Sequence, residues 1–222
     1  MTTTLKLLRF LGPTLLFFGS FVVLPPLLMS YFNNILDNNM LWIYFSCIAY
    51  SLIILLTLRR KKFSYTPRDG FIITFLTWVF ISVLASLPFL NNNLTFYDAL
   101  FEAVSGLTTT GSTVIKDLSL LPDHVLLYRQ LLQWSGGVGL VIVVLAIIPA
   151  VSGGMKVLQA ETSGFADKSF SPRLRETARS LLKFYILITL VCAFSYWIAG
   201  MTWFEAFSHS FSTVSILSLI HI

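Results

Sequence analysis

The sequence predicts an all-α polytopic membrane protein, and its composition and hydropathy support this class. Hydrophobic residues make up 56% of the 222 residues and charged residues only 11%, whereas an ordinary soluble domain carries about 25% charged residues. The mean hydropathy is +0.80, and long apolar runs alternate with short polar segments, as in helices that lie in a bilayer. A water-soluble enzyme is therefore excluded. Cys47 and Cys192 each lie inside an apolar run, so neither a disulfide framework nor a cysteine-rich metal site is expected.

Five apolar runs are long enough to cross the ~30 Å hydrocarbon core as helices. They comprise residues 7–29, 41–58, 71–90, 126–149 and 181–199. Lys6 and Arg9 resemble the basic start of a signal peptide, but the first run ends without a small-residue cleavage site. We therefore expect residues 7–29 to remain as a membrane helix.

The basic residues orient these predicted helices. With a cytoplasmic N-terminus, all of the 15 Lys and Arg residues except Lys116 and Arg129 fall on the cytoplasmic side. The positive-inside rule therefore predicts a cytoplasmic N-terminus, and the net charge of +5 reflects this topology. Because each basic cluster adjoins a predicted span, we expect contacts with membrane lipid and no nucleic-acid partner.

An apolar stretch between the third and fourth runs is too short to cross the bilayer. As a helix, residues 96–107 would cover only about half of the ~30 Å hydrocarbon core, so the chain has to enter the membrane and return. Non-helical backbone at membrane depth is tolerated only where protein covers it or where it lines a water-filled cavity. The turn that follows, residues 108–113 (TTTGST, here called the threonine turn), is therefore expected to line a pore or cavity.

The chemistry of the threonine turn suits a dehydrated monovalent cation. Carbonyl and hydroxyl oxygens replace a hydration shell without the tight binding that carboxylates would impose. Gly111 permits backbone dihedrals that direct successive carbonyl oxygens at one axis, and the negative end of the half-length helix points at the same place. The alternative is that the turn only packs a re-entrant loop, since Ser and Thr often form hydrogen bonds between membrane helices.

A second copy of the half-length helix favours the pore interpretation. The motif Thr-aromatic-aromatic-acid-Ala at residues 95–99 recurs at residues 202–206. In each copy the Thr is a predicted N-cap, and the acid, Asp98 or Glu205, completes a capping box and supports the half-helix. Each copy also follows an apolar span, and pores are built from several such units around one axis. Two units do not close a pore, so further units are expected.

Three other polar residues accompany the half-helices. Glu102 and His209 occupy equivalent positions in the two copies, and we interpret them as polar partners behind the turn, with direct ion contact as the alternative. Arg129, near the outer end of the fourth run, is expected to snorkel or to pair with Asp123 or with an acid on the half-helix.

A rival interpretation is an intramembrane serine hydrolase that uses Ser135 and His209. Its motif is defective because Gln133 stands where a glycine is required, and a catalytic role does not explain the repeated capping boxes. Gly136, Gly137 and Gly139 in the same span are interpreted as helix-packing positions, with gating as the alternative. We therefore do not expect an enzyme.

Two segments carry a resemblance to a known family. Residues 96–111 (FYDALFEAVSGLTTTG) and 128–139 (YRQLLQWSGGVG) closely resemble TrkH-type subunits of the Trk/Ktr/HKT potassium transporter superfamily. This resemblance implies a pore of four units in one polypeptide and potassium uptake across the bacterial inner membrane, with potassium as the transported substrate and without a cofactor. It also implies a homodimer and a cytosolic TrkA-type nucleotide-binding regulatory subunit.

The resemblance also implies the ion-binding residues. The first selectivity filter is carried over to Thr108, Thr109, Thr110, Gly111 and Ser112, with potassium bound at Thr109 and Thr110 and with Gly111 as the filter glycine.

The second filter is carried over to Ser215 and Ile216. Two glycines follow these positions in the family, whereas this chain continues with Leu217 and Ser218 and ends at Ile222. We therefore expect an N-terminal fragment that does not conduct by itself.

The resulting fold class is two leading transmembrane helices followed by helix, re-entrant loop and helix units of a four-repeat potassium-channel-like pore, truncated in the second unit. Residues 1–66 hold the leading helices, and residues 67–155 hold the first pore unit. Residues 156–180 form a cytoplasmic linker, and residues 181–222 begin the second unit.

Overall fold

The described part of the chain is helical. The computed structural model describes residues 2–58, 67–92, 94–118, 121–151 and 170–215, and no strand occurs among them. The α-helices are α1 (Thr2–Phe17), α2 (Leu24–Phe32), α3 (Asn38–Leu58), α4 (Pro67–Ser86), α5 (Phe96–Leu107), α6 (Asp123–Val151), α7 (Phe170–Ile198) and α8 (Trp203–Val214). A π-helical segment, Phe18–Val23, joins α1 to α2, and a 3-10 segment, Leu87–Asn92, follows α4.

Several described helices are long and apolar enough to cross a membrane, which confirms the predicted helical polytopic class. Within the described ranges these segments are Thr4–Phe32, Asn38–Leu58, Arg68–Leu90 and Arg179–Ile198. They coincide with the first, second, third and fifth predicted spans. The fourth predicted span, residues 126–149, lies within α6, although its side chains beyond residue 139 fall outside the described part.

The first membrane helix changes its winding near its middle. Pro25 and Pro26 have no amide hydrogen, so the carbonyl groups one turn earlier lose their usual donors. The chain forms the π-helical segment there, and the Leu24 amide donates to the Gly19 carbonyl oxygen. Gly19 also permits close approach to α3, because an added Cβ would lie 3.2 Å from Cys47 Cβ.

Polar contacts join three helices at the end that carries the first basic residues. Lys6 Nζ lies 2.8 Å from Asp69 Oδ2 and thereby connects α1 to α4. Arg9 donates to the Leu58 carbonyl oxygen at 2.9 Å, which satisfies an acceptor in the last turn of α3.

At the opposite end, Asp37 connects α3 to α6. Its carboxylate accepts hydrogen bonds from the amides of Asn39 (2.9 Å) and Met40 (3.2 Å) at the start of α3, and His124 Nε2 of α6 lies 3.6 Å away. Burial alone would raise the pKa of Asp37, but His124 and these two amides stabilise the carboxylate more strongly. The pKa of Asp37 therefore lies below its ordinary value.

The first half-helix, α5, lies in the centre of the described core. Ala99 and Ala103 on its inner face are fully buried, as is Tyr128 of α6. The Tyr128 hydroxyl donates to the Ala85 carbonyl oxygen at 2.9 Å, and its ring lies 5.4 Å from that of Phe89. Helices α4 and α6 thereby enclose α5 and hold the turn that follows it.

Candidate functional site

The first half-helix begins with a capping box. Thr95 has extended dihedrals (φ −66°, ψ 162°), and its hydroxyl oxygen accepts from the Asp98 amide at 3.3 Å. The Asp98 carboxylate in turn accepts from the Thr95 amide at 3.3 Å and from the Thr95 hydroxyl at 2.7 Å. These bonds satisfy donors at the start of α5 and fix the point where the chain turns into the half-helix.

The second half-helix, α8, begins in the same way. Thr202 has nearly the same dihedrals (φ −63°, ψ 157°), and the Glu205 carboxylate accepts from its amide at 2.9 Å and its hydroxyl at 2.8 Å. The hydrogen bonds from the Thr202 amide and hydroxyl lower the pKa of Glu205. The repeated motif of the sequence is therefore a repeated structure.

Helix α6 crosses the end of the first half-helix at a glycine. An added Cβ at Gly136 would lie 2.1 Å from the Leu107 carbonyl oxygen, which no side chain can tolerate. One residue further, an added Cβ at Gly137 would lie 2.4 Å from the Tyr185 hydroxyl oxygen and 3.4 Å from Ser215 Cβ. Gly136 thus sets the position of α5, and Gly137 sets the contact between the two repeated units.

The threonine turn contains two residues with left-handed backbone. Thr109 has φ 55° and Gly111 has φ 81°. This conformation is rare for a β-branched residue such as Thr and costs about 1–3 kcal/mol unless the surroundings enforce it. Glycine adopts it without that cost, which explains the residue type at position 111.

Hydrogen bonds to the first half-helix orient the carbonyl groups of the turn. The Thr109 amide donates to the Gly106 carbonyl oxygen and the Thr110 amide to that of Ser105, both at 3.0 Å. In a planar trans peptide the carbonyl points away from the amide hydrogen. The carbonyl groups of Thr108 and Thr109 therefore point away from α5.

Side-chain hydrogen bonds complete the turn. The Thr108 hydroxyl lies 2.8 Å from the Thr110 hydroxyl and also donates to the Val104 carbonyl oxygen. The Ser105 hydroxyl donates to the Ser112 carbonyl oxygen at 2.6 Å, so that carbonyl faces the half-helix. The five predicted residues of the first filter, 108–112, thus form one continuous turn that is hydrogen-bonded to α5 near both of its ends.

A buried carboxylate lies behind the turn. Glu102 is 1% exposed, and its Oε1 accepts from the Thr113 hydroxyl and from the Val114 amide at 2.8 Å. Its Oε2 lies 3.0 Å from Nε of Arg129, which is 4% exposed. Of the interactions expected for Arg129, the structure forms the pair with the half-helix acid. The hydrogen bond from Thr113 to Glu102 was not predicted from the sequence. The only signal for it was the hydroxyl group of Thr113 at the end of the turn.

The second unit is described only up to Ser215. The His209 ring packs edge-on against that of Tyr196, with centroids 6.1 Å apart. The buried Ser215 donates to the Ser212 carbonyl oxygen at 3.0 Å. The predicted filter residue Ile216 lies outside the described residues.

Ser135 and His209, the pair of the hydrolase interpretation, have separate partners. The Ser135 hydroxyl donates to the Leu132 carbonyl oxygen of its own helix at 2.9 Å, whereas His209 contacts Tyr196. Among the described residues no hydrogen bond joins Ser135 to His209.

The fold and this site define a membrane protein with re-entrant half-helices, each introduced by a capping box. Comparison with known protein families specifies the family: residues 37–219 match TrkH, described as a cation transport protein. The chain belongs to the TrkH family.

Individual relatives agree with this assignment. The chain is 38% identical over 213 residues to the Trk system potassium uptake protein TrkH of Salmonella typhimurium, an alignment that covers 94% of this chain and 44% of that protein. It is 47% identical over 163 residues to TrkH of Vibrio parahaemolyticus, which covers 71% of this chain and 34% of that protein. The chain therefore spans less than half the length of these curated relatives.

A solved structure shares the fold. The crystal structure of the potassium transporter TrkH from Vibrio parahaemolyticus matches with a TM-score of 0.79 and 36% sequence identity. The match covers 97% of this chain and 44% of that one.

Proposed function

We propose that this chain forms part of a protein that takes up potassium ions across the bacterial inner membrane. The observation that carries the proposal is the geometry of the threonine turn. Its amides at Thr109 and Thr110 donate to the first half-helix, so the carbonyl groups of Thr108 and Thr109 point away from that helix and are free of it. Carbonyl oxygens arranged in this way replace the hydration shell of a cation. The potassium uptake proteins among the relatives support the choice of ion.

In this proposal residues 108–112 form the first filter, with potassium at Thr109 and Thr110. Ser215 and Ile216 begin the second filter, and Asp98, Glu102, Glu205 and His209 support the two half-helices. Potassium is the transported substrate, and we propose no cofactor and no catalytic role for Ser135 or His209, whose partners are separate.

The described part of the chain supplies two half-helices, and a closed pore needs more. We propose that the whole protein arranges four such units around one axis, forms a homodimer in the membrane, and binds a cytosolic TrkA-type nucleotide-binding regulatory subunit. The N-terminus lies in the cytoplasm, as the distribution of basic residues favours. The 222-residue chain alone is expected not to conduct, because two half-helices do not surround an ion path.

Ion uptake by reconstituted protein tests the proposal. A full-length TrkH-family protein that carries this sequence should take up rubidium into liposomes, and potassium should compete more strongly than sodium. The 222-residue chain alone should give no uptake above protein-free liposomes. Absence of rubidium uptake by the full-length protein would contradict the proposed function, and uptake by the chain alone would contradict the proposed number of units.

A further inference from the structure

Glu102 connects three parts of the first pore unit that are separate in the sequence. Its carboxylate sits on α5, accepts from Thr113 at the end of the turn and from Val114 after it, and pairs with Arg129 of α6. Oε1 accepts both hydrogen bonds from Thr113 and Val114, and Oε2 accepts the hydrogen bond from the Arg129 guanidinium. The half-helix that leads into the turn therefore also holds the segment that leaves it.

Burial makes this connection strong. Glu102 and Arg129 are almost completely buried, where hydrogen bonds to charged groups are roughly twice as strong as those between neutral groups. Removal of one charge leaves the other uncompensated in a medium that solvates it poorly. Removal of either partner is therefore strongly unfavourable.

The threonine turn is thus attached to α5 on both sides. Before the turn the amides of Thr109 and Thr110 donate to the last carbonyl groups of the half-helix. At the far side Ser105 binds the Ser112 carbonyl oxygen, and Glu102 binds Thr113. A loop attached at both ends holds its carbonyl oxygens at fixed separations, and the size and field of such a carbonyl cage distinguish potassium from sodium.

The second unit is built differently at the equivalent position. His209 stands where Glu102 stands in the first unit, and its ring packs against Tyr196. Ser212, the equivalent of Ser105, donates to the His209 carbonyl oxygen of its own helix at 3.0 Å. Within the described residues, a carboxylate that binds both the end of the turn and an arginine, here called the carboxylate clamp, thus occurs in the first unit.

We propose that Glu102, held in place by Arg129, is a positioning residue that sets the ion selectivity of the first filter by fixing Thr113 and Val114. This inference rests on the proposed potassium uptake. It assigns the discrimination between potassium and sodium partly to a hydrogen bond that lies behind the ion path and does not touch the ion.

Two substitutions at Thr113 form the first test, in the full-length protein in liposomes. T113V keeps the shape of the side chain and removes the hydroxyl that donates to Glu102, whereas T113S keeps the hydroxyl. The ratio of potassium to sodium concentrations that halve rubidium uptake is the readout. T113V should lower the preference for potassium roughly tenfold, the scale of a lost hydrogen bond to a charged group, and T113S should leave it unchanged. If T113V does not insert into the membrane, T113A replaces it with the same expectation.

A charge cycle forms the second test. E102Q and R129Q each leave one buried charge unpaired and should lower selectivity and the amount of folded protein, whereas the double variant E102Q/R129Q should regain folded protein and part of the selectivity. A purely structural role would change the amount of folded protein while each folded molecule kept its wild-type selectivity.

The outcomes separate the inference from the proposed function. If the wild type takes up rubidium and T113V and T113S have equal selectivity, the proposed role of Glu102 is contradicted and the proposed function is not. A wild type that takes up no rubidium would overturn the proposed function itself. Lowered selectivity of T113V, with wild-type behaviour of T113S, would support both.

Discussion

At the scale of single residues, the threonine turn combines strain with attachment. Thr109 holds a left-handed conformation that a β-branched side chain rarely adopts, and Gly111 holds another two positions later. Such strain persists only where the surroundings determine the backbone. Here the half-helix does so, through hydrogen bonds to the amides of Thr109 and Thr110. Substitution of Gly111 is therefore expected to disturb the turn without unfolding the helices around it.

We predict that G111S lowers the potassium preference of the full-length protein. A side chain at φ 81° is strained and shifts the neighbouring carbonyl groups. Competition of sodium with rubidium uptake should show a loss of roughly tenfold, which corresponds to about 1.4 kcal/mol of discrimination. T113S keeps its hydroxyl and should have little effect.

Gly200 provides the matched control for this prediction. It also has positive φ, at 102°, but an added Cβ would meet nothing within 4 Å. G200S should therefore share the backbone strain and keep wild-type selectivity. Equal selectivity of G111S and wild type would mean that the threonine turn packs the loop and that the filter lies elsewhere.

At the scale of elements, glycines decide how closely α6 approaches the first half-helix. We predict that G136A destabilises the protein by about 1–3 kcal/mol, the usual cost of overpacking, because its Cβ would overlap the Leu107 carbonyl oxygen. G139A in the same helix is the control, since its Cβ would meet Trp78 at 3.6 Å, an ordinary contact. Thermal unfolding in detergent should show a lower Tm for G136A only, and a wild-type Tm for G136A would mean that the two helices are not in contact.

The link between α3 and α6 through Asp37 should depend on pH. D37N keeps the helix cap and removes the charge beside His124, at a cost of roughly 1 kcal/mol near neutral pH. Because the folded pKa of Asp37 lies below its ordinary value of 3.8, its contribution is fully present above that value. It is lost as the pH falls through the lower folded pKa.

Thermal unfolding of wild type and D37N across the acid range measures this contribution. The two Tm values should differ near neutral pH and converge in strong acid. A difference that grows with acidification would contradict the assigned direction of the pKa shift.

The sequence predicted local elements well and contacts between distant elements poorly. The predicted half-helix, residues 96–107, coincides with α5, because the capping box and the threonine turn that bound it are encoded within a few residues. By contrast, α7 begins at Phe170, well before the predicted span, because its first turns are polar and hydropathy detects only the apolar part.

The contacts between distant elements depend on tertiary packing. Neither the pair of Asp37 with His124 nor the bond between Glu102 and Thr113 follows from the spacing of these residues in the sequence. The π-helical segment was also missed, since Pro25 and Pro26 indicate an interruption and not its form.

At the scale of the whole molecule, the distribution of basic residues predicts the orientation in the membrane. With the N-terminus in the cytoplasm, the exposed Lys116 lies on the outer face after the threonine turn. A K116C variant on a background without Cys47 and Cys192 should therefore react with a membrane-impermeant thiol reagent added outside intact cells. Reaction only after the membrane is permeabilised would contradict the proposed orientation.

The pair formed by Glu102 and Arg129 also bears on biogenesis. An unpaired charge at the centre of a membrane helix raises the free energy of insertion by about 2.5–3.5 kcal/mol, and the short α5 has little apolar length to offset such a cost. Since the two charges lie 3.0 Å apart in the folded protein, their pairing offsets part of this penalty when α5 and α6 lie together in the bilayer. Insertion of α5 together with α6 is thus favoured over insertion of α5 alone.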